Sequence, residues 1–173
     1  MEYIIDFILL TLIYFLVFYR KWRKKAKKIL LINTLMYIYI VMVLYVTLMP
    51  FTFPLGASNN LFIRTANFIP FKDLRLNRPG AIREIILNVI MMMPFGFLYP
   101  LTKTKGIAKT VFMTFIFSLA IECSQLVSVW WGGVTSRTFD VTDLITNTIG
   151  GLIGYLVFII LKPIISIILK ENN

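Results

Sequence analysis

In the stretch FDVTDLITNTIGGLIGYLVF, residues 139–158, Asp140, Asp143, Asn147, Gly150 and Gly154 follow one another at steps of three and four. On an α-helix such positions share one face. Two carboxylates and an amide on one face can transfer a proton, hold a hard cation or accept hydrogen bonds from a ligand. Upstream, Ser118, Glu122 and Gln125 repeat the spacing, and Glu84 and Asn88 form a further acid–amide pair. Arg137 is the nearest guanidinium in sequence to serve Glu122 as an ionic partner, with Arg83 and Arg78 as competitors. The chain has no histidine and a single cysteine, Cys123. The commonest general base and metal ligand is therefore missing, and an intramolecular disulfide is excluded.

Three uses of these residues compete. A binding cleft would draw on Asn67, Glu84, Asn88, Glu122, Gln125, Arg137, Asp140, Asp143 and Asn147. An enzyme acting on a lipid-linked headgroup would use Glu122 or Asp143 as general acid/base, with Arg137 clamping a phosphate. A divalent ion held by Glu84, Asp140 and Asp143 would suit hard oxygen chemistry, but carboxylate spacing alone is a weak signal, and no cofactor is expected. Against all three stands a structural use. Acids in a first helical turn complement the helix dipole, and Asp140 or Thr142 can cap the helix that follows.

The elements that must position these groups belong to a membrane. The 173 residues are 58% hydrophobic and 15% charged, with a mean hydropathy of +0.82. A soluble domain is about half apolar and roughly a quarter charged. Five apolar segments, at 3–19, 29–49, 85–101, 107–129 and 143–161, each have about the length that crosses a ~30 Å hydrocarbon core. The expected fold is an all-α integral membrane bundle of five transmembrane helices in the cell membrane. The net charge of +10 is read through the positive-inside rule rather than as a nucleic-acid signal. Seven basic residues fall in loop 20–28, three in 102–109 and two after Leu161, against five in 50–84 plus Arg137. The N-terminus is thus predicted outside and the C-terminus in the cytoplasm, with the polar cluster at the outer end. A transporter would want polar residues deeper and on both sides, which counts against that reading.

Three regions are expected. Residues 1–49 give two helices around the basic loop, residues 50–161 an outer loop (50–83) and three helices, and residues 162–173 a cytoplasmic tail that begins where Lys162-Pro163 ends the fifth helix. The outer loop mixes proline with aromatics and is expected to be neither linker nor helix. Pro94-Phe95-Gly96 reads as a kink, Met91–Met93 as core filling and Gly150/Gly154 as a small-residue seam for a neighbouring helix. An echo between EIILN from Glu84 and DLITN from Asp143 suggests a parallel repeat.

The ordered motifs NFIPF (67–71), REIILNVIMMMPFGFLYPL (83–101), IECSQL (121–126) and SRTFDVTDLITNTIGGLIGY (136–155) resemble the VanZ-like family. The likeness runs from about Asn67 to Tyr155, and the first two helices match only as hydrophobic spans. The resemblance implies a Gram-positive cell-envelope protein associated with antibiotic resistance, specifically low-level resistance to the glycopeptide teicoplanin without an altered peptidoglycan precursor. It also implies partners among membrane lipids, a lipoglycopeptide or a cell-wall lipid precursor. It names no reaction.

Overall fold

The computed structural model describes residues 2–51, 62–102, 105–131 and 138–171. Helix α1 (Glu2–Ile13) passes through a π-helical segment (Tyr14–Tyr19) into α2 (Arg20–Trp22). Helix α3 (Lys27–Thr47) follows the basic loop, and two single-turn helices, α4 (Phe62–Thr65) and α5 (Lys72–Arg75), interrupt the long connection. Helices α6 (Ala81–Thr102), α7 (Ile107–Trp130) and α8 (Val141–Glu171) complete the chain. Five spans, Tyr3–Trp22, Lys27–Thr47, Ala81–Thr102, Ile107–Trp130 and Val141–Ile167, are long and apolar enough to cross a membrane. No strand occurs among the described residues.

The distribution of side chains is that of a protein dissolved in lipid. Large aliphatic residues such as Ile4, Leu16, Ile82, Ile90 and Ile160 are exposed, whereas Thr110, Thr114, Ser118, Glu122, Thr146 and Asn147 are buried between helices. In hydrocarbon the bundle gains little by hiding leucine but much by pairing polar groups and packing closely.

The closest packing joins α6 and α8. A Cβ on Gly150 would collide with the Val89 carbonyl, one on Gly154 with the Met93 carbonyl, and one on Gly96 with the Gly151 backbone. The pairs 150/89 and 154/93 advance together by four residues, so the two helices run parallel. The expected small-residue seam is there, and α6 supplies a glycine of its own. Gly151 also rests on the Thr114 side chain of α7. Around Met92, Phe95, Tyr99, Val43 and Ile121 lies the apolar core, where Tyr39 donates to the Met91 carbonyl at 2.8 Å. Met92 fills core as the sequence suggested. Pro94 lies inside α6 without ending it.

Two expectations are corrected. Helix α8 does not stop at Lys162-Pro163 but continues through Pro163 to Glu171. Proline removes one helical hydrogen bond and crowds one carbonyl, and the Ser166 hydroxyl bonds the Pro163 carbonyl at 2.7 Å in the next turn. The long connection also holds local structure, since α4 and α5 form within it. Asn77 closes α5 in the left-handed region (φ 51°), a position where asparagine is tolerated after a helix end.

Candidate functional site

Helix α3 ends, α6 begins, α7 ends and α8 begins at one end of the bundle, here the polar end. Each helix terminus carries backbone groups without helical partners. In lipid such groups must be satisfied internally, and the motif residues do this. Asp140 is the N-cap of α8. Its Oδ1 accepts the Thr142 N–H at 2.6 Å, and its carbonyl accepts the Leu144 N–H at 3.2 Å. Its Oδ2 accepts from Asn67 Nδ2 at 2.8 Å. The backbones of Asn67 and Asp140 form an isolated parallel bridge, with Asn67 N–H to the Phe139 carbonyl at 2.8 Å and Val141 N–H to the Asn67 carbonyl at 3.0 Å. Thr142 Oγ1 accepts the Phe71 N–H at 2.9 Å. Phe71 sits in the left-handed region (φ 55°), which an aromatic residue adopts only when its surroundings enforce it.

Glu122 lies beneath this knot. It is 2% exposed, and its Oε2 accepts the Asp140 N–H at 2.9 Å. Its described partner is a backbone donor, not a guanidinium. Arg78 instead pairs with Asp73 at 3.1 Å, Arg83 is exposed, and Arg137 lies outside the described residues. An enclosed carboxylate holding the start of α8 is placed to position that helix.

Gln125, one turn on, donates through Nε2 to the Thr47 carbonyl at 3.2 Å, satisfying an orphan carbonyl in the last turn of α3. Deeper, Asn147 Nδ2 donates to Ser118 Oγ at 2.9 Å, while its buried Oδ1 has no donor among the described residues. Asn67, Glu122, Gln125, Asp140 and Thr142 are thus joined as fasteners of helix ends.

Three candidates remain open. Asp143 is half-buried, meets the Asn88 side chain across α6 and α8, and has the carboxylates of Asp140, Glu84 and Asp73 near enough to act on it. Asn88 is half-buried and Glu84 exposed. Among the described residues no ion pair reaches Asp143 or Glu84. No group of three such side chains is arranged to hold a metal ion among these residues either, so Glu84, Asp140 and Asp143 are neighbours without being a chelating set. Cys123 is a free, exposed thiol, facing away from Glu122 into a groove with Leu48 and Phe51.

The sequence reading stopped at Ser118 and missed Thr110 and Thr114, which extend the same spacing. Thr110, Thr114, Ser118 and Glu122 recur every four residues on α7 and are all buried, so polar side chains are not confined to one end. Their period was visible; threonine's ambivalence between lipid and protein hid its meaning. The Thr110 and Thr114 hydroxyls donate to carbonyls one turn back, Gly106 at 3.1 Å and Thr110 at 3.0 Å. The stripe therefore acts as a seat for α8.

Comparison with known proteins covers the part of the chain that holds these motifs. Residues 35–162 match the VanZ/LLP1 family model. Protein VanZ of Enterococcus faecium is 31% identical over 121 residues, covering 69% of this chain and 68% of that one. The chain belongs to the VanZ/LLP1 family. It is a multi-pass membrane protein, as five spans and this kinship together require. The VanZ/LLP1 match begins within α3, so α1, the π segment and the basic loop lie outside it. No solved structure matches the chain.

Proposed function

We propose that this VanZ/LLP1 chain lowers susceptibility to teicoplanin-type, lipid-tailed glycopeptides by binding an amphiphile at its polar end. The observation that carries the reading is the split among the motif residues. Asn67, Glu122 and Asp140 are spent on helix ends, whereas Asp143, Asn88 and Glu84 remain accessible on the α6–α8 seam. Carboxylate and amide oxygens there accept hydrogen bonds from hydroxyl, amide or ammonium groups, which a glycopeptide headgroup supplies. The flanking helices offer apolar walls to an acyl tail, the combination that small-molecule sites use for orientation and affinity. On this reading the membrane face carrying the seam is the outer one, in keeping with the distribution of basic residues.

The test is expression in a susceptible Gram-positive host. Tolerance to teicoplanin, which carries an acyl chain, should rise more than tolerance to vancomycin, which does not. Asp143→Asn at unchanged membrane abundance should abolish the difference. Mass spectrometry of drug and cell-wall precursors should show no new species. A protein-dependent covalent change in either would replace binding by catalysis.

A further inference from the structure

Helix α6 turns a second face to the membrane, distinct from the one that carries Glu84 and Asn88. Arg78, Arg83, Ile82, Ile86 and Leu87 line an open groove of about 480 Å³ around Gly80 and Ala81. Ile82, Ile86 and Leu87 are at least half exposed, and Ile90 extends the same aliphatic surface one turn further into the span. Arg78 gives one guanidinium nitrogen to Asp73 at 3.1 Å and keeps its side chain 59% exposed. Arg83 is exposed and makes no ion pair among the described residues. Gly80 has φ +91°, and an added Cβ there would meet nothing within 4 Å, so the rim is unobstructed.

The groove therefore combines two guanidinium groups at the helix start with a branched aliphatic wall descending from them. A guanidinium has five N–H donors in a fork suited to phosphate, so Arg78 can keep Asp73 and still engage a second anion. The wall excludes a freely soluble anion as the best fit, because most of the groove would then be left unfilled. We propose that this groove binds an anionic phospholipid of the surrounding bilayer, its phosphate between Arg78 and Arg83 and an acyl chain along Ile82, Ile86 and Ile90. The occupant shares no residue with the seam assigned to the amphiphile above, so either assignment can fail alone.

Any basic segment, loop 20–28 with its seven basic residues included, is drawn to an anionic surface, so the readout must be local. A benzophenone side chain placed at Ile86 in the full chain, reconstituted in phosphatidylcholine vesicles containing a graded fraction of phosphatidylglycerol, reports lipid adducts at this groove. Phosphatidylglycerol should be captured in preference to phosphatidylcholine. Arg78→Gln or Arg83→Gln should each raise the half-saturating fraction about five-fold (~1 kcal/mol), and the double variant about thirty-fold, from the contribution of one basic residue near an anionic surface. Arg64→Gln, which removes the same charge from an exposed position on α4, should change nothing. Size-exclusion and circular-dichroism profiles identical to the parent establish that each variant is folded. Equal capture of the two lipids would overturn the proposal, as would an unchanged profile in the double variant. So would an equal loss in Arg64→Gln, which would reveal long-range attraction alone. Displacement by millimolar glycerol phosphate would reveal a site for a soluble phosphate ester instead.

Discussion

Glu122 separates positioning from chemistry, because one substitution keeps its structural bond and another removes it. Its Oε2 accepts the Asp140 N–H at 2.9 Å from a position only 2% exposed. Glu122→Gln retains an amide oxygen at nearly the same place, so the start of α8 stays satisfied. Glu122→Ala strands that N–H where water does not reach. A buried donor without a partner costs about 1–3 kcal/mol, though interhelical hydrogen bonds within membranes average nearer ~0.6 kcal/mol because the unfolded state also finds partners. The cavity left by the truncated side chain adds about 1 kcal/mol or more. Glu122→Ala should therefore lose about 2–3 kcal/mol, a factor of about 30–150 in the folded-to-unfolded ratio. Glu122→Gln should stay within about 1 kcal/mol of the parent. Denaturation by graded dodecyl sulfate in mixed micelles, followed by helicity and by Trp130/Trp131 fluorescence, measures both. Two equal losses would refute the capping account and show that the charge itself is required, which would send attention back to Arg137. In that event the Glu122→Gln/Arg137→Gln double variant should lose less than the sum of the singles.

The remaining tests address the frame. Gly154→Ala should destabilise the bundle by about 1–3 kcal/mol, the cost of overpacking, because the new methyl meets the Met93 carbonyl. Gly106→Ala, with nothing within 4 Å of its added Cβ, serves as the near-neutral control in the same denaturation assay. Orientation is checked in a Cys123→Ala background: a membrane-impermeant maleimide should label Arg75→Cys in intact cells and spare Lys25→Cys. The reverse pattern would put the polar end in the cytoplasm and remove the basis of the antibiotic reading.

The number of spans and the approximate place of each were legible because apolar length is a strong signal in a chain that must cross hydrocarbon, although the last helix runs past its proline. What resisted reading was whatever depends on a partner. Asp140 and Glu122 look alike in sequence, two acids near helix ends, yet one caps its own helix and the other caps its neighbour's. Nothing local distinguishes them, since the donor in both cases comes from the α8 start and the distance from α7 to it is a tertiary fact. Asp143, Asn88 and Glu84 share the spacing of the fasteners in sequence, and only the hydrogen bonds of the others separate the two groups. The π segment Tyr14–Tyr19 has no proline or glycine to announce it. The Phe71 conformation was equally hidden, because left-handed backbone is expected at glycine or asparagine rather than at an aromatic.

Asp6 shows how far the same logic reaches beyond the family match. It is an acid near the start of an apolar span, yet it is 6% exposed, and its Oδ2 accepts the Phe51 N–H at 3.0 Å. Further along, the Tyr37 hydroxyl donates to the Leu10 carbonyl at 2.7 Å, and the Tyr14 and Thr34 hydroxyls meet at 2.8 Å. The first span is thus attached through a few polar contacts and through rings packed on α3, such as Phe7 on Tyr45 and Tyr14 on Tyr37, with most of its large side chains, Ile4, Ile5, Leu12 and Leu16 among them, facing outward. Helices α6 and α8 are instead fitted backbone to backbone, where any added methyl collides. Among the described residues the first span has no such backbone fit, so its hold rests on side-chain contacts. The seam's carboxylates take their spacing from these glycine contacts and from the cap at the start of α8.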